Sequence, residues 1–287
     1  MCRTRALLAT AALLLAAGQA QAWPFGKKAE PAAETPAKPA AAPKGQTNIG
    51  GNEAPLAPPK PASAAERAAA GRQSPLAQPA FWSREFELNP TDAEAGVRLA
   101  AALRVMGQTD EAADAAGRVL SVKPDHVEAL YELARARIAI GQGFYALEPL
   151  KKVRALQPND WRPLSLTGVA LEQAQRLPEA RQTWNEALRL SPDNPAVLTN
   201  MALSYMAEGN ADEAERLLRR AVARPDADIR TRQNLALVLG LRGRTAEAEQ
   251  MLRQDLPPEL VTQNLAWLRA RTAAAPRTWG SVTSSAN

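Results

Sequence analysis

One histidine and one cysteine are the only imidazole and the only thiol that this 287-residue chain offers to chemistry. His126 follows Asp125 with no second histidine, and no cysteine beside it, to share an ion, so it is read as a residue of a surface turn. Cys2 precedes an apolar run and is read as incidental. No glycine-rich loop opens a helix as a phosphate cradle, and neither a Gly-x-Ser-x-Gly elbow nor a His-Glu-x-x-His pair occurs. Carboxylates are plentiful, yet each falls on a polar helix face or at a helix start, where solvation, capping and local ion pairs account for it. No catalytic residue, metal or cofactor is expected, which leaves the chemistry of a binding surface.

Charge does not identify the partner as a nucleic acid. Arg3 and Arg5 supply two units of the formal net +5, and residues 23–72 supply three more with seven basic and four acidic groups. Residues 73–287 are formally neutral, with 26 of each sign interspersed, whereas a phosphate-binding face needs clustered surplus cations. Protein partners are expected, with no small-molecule substrate.

The elements that would carry such a surface are set by a ruler. Ala112, Ala146, Ala180, Ala214 and Ala248 stand 34 residues apart, in register with Gly107, Gly141, Gly209 and Gly243, with Gln175 in the remaining slot, and with Pro90, Pro124, Pro158 and Pro192. Ala100, Ala134, Gly168, Ala202 and Ala236 form a second small-residue column. Between each proline and the next glycine lies one amphipathic run of about four turns, and a second follows to the next proline. Each period is a helical hairpin. Small residues let its backbones approach, the glycine supplies a left-handed turn, and Asp125, Asp160, Asp193 and Asp226 offer N-caps.

A helical hairpin of this period with these columns resembles the tetratricopeptide repeat. Five units are read, at 93–126, 127–160, 161–194, 195–228 and 229–256. Trp184 stands at the aromatic position of the third unit, where Ala116, Leu150, Leu218 and Leu252 stand in the others. The fold expected is an all-α, right-handed solenoid over 78–271. A helix over 78–88 should cap one end and one from Pro257 through Leu268 the other.

The resemblance implies that places 2, 5, 9 and 12 of each first helix face a concave groove. The groove set chosen on that basis is Val97 and Arg104; Tyr131, Arg135 and Ile138; Val169 and Glu172, with Arg162 at place 2 of the same helix; Thr199, Leu203 and Met206; and Gln233 and Leu237. It reads as an apolar stripe suited to an extended or helical segment, with Arg104 and Arg135 placed to fix an acidic group.

Before the repeats, residues 1–22 read as a secretory signal. A basic start is followed by an apolar run over 6–17 and by Ala20-Gln21-Ala22 before Trp23. Export to the periplasm is expected. Residues 23–77, rich in proline, alanine and lysine, read as a disordered linker, and 272–287 as a disordered tail.

Arg232 to Arg244, Asp255-Leu256-Pro257 and Asn264 to Arg269 are similar to the end of the TadD-type proteins, exported tetratricopeptide proteins of the tight-adherence (Flp) pilus system. That similarity implies a periplasmic or outer-membrane-associated assembly factor, aiding the secretin or other pilus components. The alternative is a periplasmic chaperone or adaptor for another envelope pathway, such as cytochrome maturation or envelope polymer synthesis.

Overall fold

The computed structural model describes residues 60–273. The expected signal segment, most of the expected linker and all but the first two residues of the expected tail lie outside them. Every regular element among the described residues is a helix. In order these are α1 (Ala64–Ala70), α2 (Gln78–Leu88), α3 (Ala93–Val105), α4 (Thr109–Val122), α5 (Val127–Ala139), α6 (Gly143–Leu156) and α7 (Trp161–Gln173). They continue with α8 (Leu177–Leu190), α9 (Pro195–Ala207), α10 (Ala211–Val222), α11 (Ile229–Leu241), α12 (Thr245–Leu252) and α13 (Pro258–Ala273). The pairs from α3–α4 to α11–α12 are the five hairpins given by the ruler.

The columns hold these pairs together. Gly107, Gly141, Gly209 and Gly243 all have φ between 79° and 84°, and Gln175 takes the same left-handed turn at 62°. Behind each, an N–H three residues past the helix reaches back five positions, as from Gln108 to the Leu103 carbonyl at 2.9 Å and from Arg176 to that of Leu171 at 2.8 Å. The five alanines of the ruler are fully buried, as are Ala100, Ala134, Ala202 and Ala236. Gly168 breaks that second column for a reason visible in its partner. A Cβ there would lie 2.2 Å from Nε1 of Trp184, whose ring fills the space and whose N–H donates to the Ser165 carbonyl at 3.0 Å.

Two sequence readings are corrected. The N-caps of the first helices are Asp92, His126, Asp160, Asn194 and Asp228, a 34-residue column of its own; of the aspartates expected to cap, only Asp160 does so. His126 is therefore a cap and not only a turn residue, its Nδ1 accepting from the Ala129 N–H at 3.3 Å.

The second correction concerns the linker. Its last part, 60–77, contains α1, which opens with a capping box between Ser63 and Glu66 and docks on the array. Ala70 is fully buried in a cluster with Trp82 and Phe86. Glu85 of α2 is fully buried, and its carboxylate accepts from the Ala62 N–H at 2.9 Å and from Arg67 at 2.9 Å. Arg67 also pairs with Asp92 at 2.6 Å. A buried carboxylate demands such partners, and α1 provides them. At the opposite end α13 closes the last face with Val261, Leu265 and Leu268, the last lying where a Cβ on Gly240 would be, 2.4 Å away.

Candidate functional site: the inner wall of the helical array

Successive first helices, α3, α5, α7, α9 and α11, pack on one another, whereas the second helices pack on their hairpin partners and on the next unit's first helix. The first helices thus form a continuous inner wall. Their residues of the predicted groove divide into two groups.

The first group is closed. Tyr131, Ile138, Val169, Thr199, Leu203, Met206 and Leu237 are only 2–9% exposed. Val97 and Gln233 are half-buried. The expected apolar stripe is therefore largely spent in contacts between neighbouring first helices, which come close enough to cover it. Thr199 shares a hydrogen bond with Thr231 at 3.3 Å across the last junction, and Asn200 donates to Ser165 at 3.1 Å across the one before. Gln173 donates to the Ile138 carbonyl at 3.0 Å.

The second group is ionic. Arg104, expected to receive an acidic partner, instead donates to Glu132 at 2.8 Å, and Arg135 donates to the other oxygen of the same carboxylate at 2.7 Å. Glu132 is 5% exposed, so two guanidinium groups offset its desolvation. Beside it the Tyr131 hydroxyl donates to Asp160 at 3.0 Å, and Arg135 and Arg162 stand 5.2 and 5.6 Å from the Tyr131 ring centre. Burial, reinforced by the Asp160 carboxylate, pushes the Tyr131 phenol well above its ordinary range. Burial also disfavours the charged form of Asp160, but hydrogen bonds from Arg162 outweigh it and hold that carboxyl low.

Arg162 is the member of this cluster that remains open. Its side chain is 55% exposed and that of Arg135 38%, against 15% for Arg104. The turn leading into α7 is a shallow depression lined by Gln157, Pro158, Trp161 and Arg162. Glu132 escaped the sequence reading; the signal was a charge within an otherwise apolar stretch of α5.

Glu172 sits farther along the wall. Burial raises its carboxyl above the ordinary range, the Ser204 hydroxyl and Arg181 pull it down, and Glu208 pushes it up. Among the described residues no group of three or more metal-ligating side chains converges, and no helix is long and apolar enough to cross a membrane.

Models of the tetratricopeptide repeat match residues 97–142, 146–195, 171–236 and 229–256. The chain is similar to cellulose synthase operon protein C of Pseudomonas fluorescens, 34% identical over 128 residues, which is 44% of this chain and 10% of that one. It is also similar to a tetratricopeptide repeat-containing protein of Pseudomonas aeruginosa, 32% identical over 135 residues, or 45% of this chain and 22% of the other. The chain thus spans under a quarter of the length of these curated relatives.

Among solved structures, a thermophilic tetratricopeptide protein of Thermus thermophilus superposes with a TM-score of 0.50 at 22% identity, covering 64% of this chain and 94% of the other. A chain of the Cut9–Hcn1 hetero-tetramer of the APC/C gives 0.53 at 13% identity, covering 66% of this chain and 39% of the other. These likenesses concern the fold alone. With the ruler, the hairpins and the matched repeat models in agreement, this chain belongs to the tetratricopeptide repeat family.

Proposed function

We propose that the protein is a non-catalytic scaffold that holds a segment of a partner protein along its inner wall, with an acidic group of that segment received by Arg135 and Arg162 beside Tyr131. The observation that carries this reading is that Arg162 remains half-exposed at the ionic cluster, while much of the apolar wall around it is closed. Charge-assisted bonds from two guanidinium groups suit a carboxylate. The scaffold is proposed to be exported and to serve assembly of the tight-adherence pilus, with the secretin or another pilus component as partner and with peripheral envelope association. A second reading, an adaptor in envelope polymer synthesis, is favoured by the similarity to cellulose synthase operon protein C.

The test is cross-linking of the tagged full chain in its native host, with captured proteins identified by mass spectrometry. Pilus components captured by the wild type and lost from the Arg135→Gln/Arg162→Gln variant are the expected result. Capture of polymer-synthesis proteins with the same loss selects the second reading, and capture unaffected by the variant overturns the site.

A further inference from the structure

The second helix of the second unit departs from its sisters on the side turned away from the inner wall. At the two positions where α4 has Asp110-Glu111, α8 Pro178-Glu179, α10 Asp212-Glu213 and α12 Ala246-Glu247, α6 has Phe144-Tyr145. Acidic residues belong there, in the first turn, because they complement the helix dipole. α6 has none in its first turn, so the exchange works against the helix that carries it. Nor does it serve packing: Phe144 is 66% exposed and Tyr145 65%, their rings meeting edge to face at 5.6 Å. Seven residues on, nearly two turns and about 10 Å along the same face, stand Lys151 and Lys152. Lys151 has an 80% exposed side chain, and its one ion pair among the described residues, with Glu148, is long at 3.9 Å. Lys152 is also exposed and forms no ion pair among the described residues.

We infer that the outer face of α6 is a second docking surface, which takes a segment of a partner protein carrying an apolar anchor over Phe144 and Tyr145 and carboxylates over Lys151 and Lys152. Aromatic anchors ringed by charge are the usual centre of a peptide-sized contact, each burying on the order of 150 Å² or more. The charges on either side decide between a segment and a bilayer. On the neighbouring outer helices, Asp110, Glu111 and Asp114 of α4 are exposed with no ion pair among the described residues, whereas the exposed Glu179 of α8 is paired with Arg176 at 2.6 Å. A flat anionic membrane laid on α6 would meet these acids, whereas a narrow acidic segment lying along α6 would be confined by them to the lysines.

The surface is distinct from the inner wall, and its test does not depend on that site. The full chain would be titrated by fluorescence anisotropy with a labelled peptide carrying a Leu-Trp anchor followed by a run of glutamates. A matched peptide with lysines for glutamates would be the control, and phosphatidylglycerol vesicles would be assayed separately by sedimentation. Salt-sensitive binding of the acidic peptide is expected, weakened at least about tenfold in Phe144→Asp/Tyr145→Glu, and likewise in Lys151→Glu/Lys152→Glu, but not in Arg135→Gln/Arg162→Gln. The first pair installs the residues of sister units, so the helical circular dichroism should be unchanged. Binding that survives both α6 variants, no binding of the acidic peptide, or α6-dependent binding to the vesicles instead would each overturn the proposal.

Discussion

Histidine is a weaker closure for a helix start than the Asp92, Asp160, Asn194 and Asp228 that occupy its column in the other units. Replacing His126 with Asp keeps the acceptor and adds a negative charge at the positive end of α5, so thermal unfolding should show a gain of roughly 0.5–1 kcal/mol. Glu172 gives the opposite kind of handle. Its folded-state carboxyl is raised, chiefly by burial, so the folded protein holds a proton that the unfolded chain releases. The penalty is absent well below the ordinary glutamate value of 4.5, grows as pH rises from there, and is complete above the raised folded value. Glu172→Gln should accordingly stabilise the protein near neutral pH and confer no such advantage in strongly acidic solution, as followed by urea unfolding at the two pH values. The sequence indicated which side of each first helix Glu172, Tyr131 and Leu203 would face. It did not disclose how closely the next helix approaches that side, and the approach distance decides whether such a residue is a groove or a core.

The hairpins themselves were legible because their turn chemistry repeats. Gln175, the exception at the turn column, holds a left-handed φ of 62° that costs a side-chain-bearing residue about 1–2 kcal/mol. Gln175→Gly removes this strain against a smaller gain of unfolded-state entropy, and calorimetry should show the melting temperature unchanged or raised. Within the third hairpin, Gly168→Ala drives a methyl into the Trp184 ring and should cost roughly 1–3 kcal/mol. Adding Trp184→Leu restores the pairing used in sister units, so the double variant should be more stable than the sum of the two single losses, as a double-mutant cycle measures. The cap column was missed because the aspartates after the prolines look like caps. Asp193, with φ of 55°, instead turns the chain and leaves Asn194 to do the capping.

The ends of the array are where periodicity fails as a guide, since α1 occurs once and has no sister to reveal it. Ser63 and Glu66 of its capping box lie within a proline-rich composition that masks them. Because Glu85 is fully buried with Arg67 as its ionic partner, Arg67→Met should destabilise the protein by roughly 3 kcal/mol in chemical denaturation. Mild proteolysis should leave a resistant fragment that begins before Ser63, where a boundary between Ser74 and Arg84 follows from the linker reading alone. In an array of this kind each unit touches mainly its neighbours. The exchange of Gly168 and Trp184 has a consequence at this scale, because both residues, and the Ser165 carbonyl that receives the indole N–H, lie in the single span 161–194. The irregularity travels with its own compensation, so a recombination that duplicates this span copies lock and key together, whereas one that crosses over between residues 168 and 184 separates them.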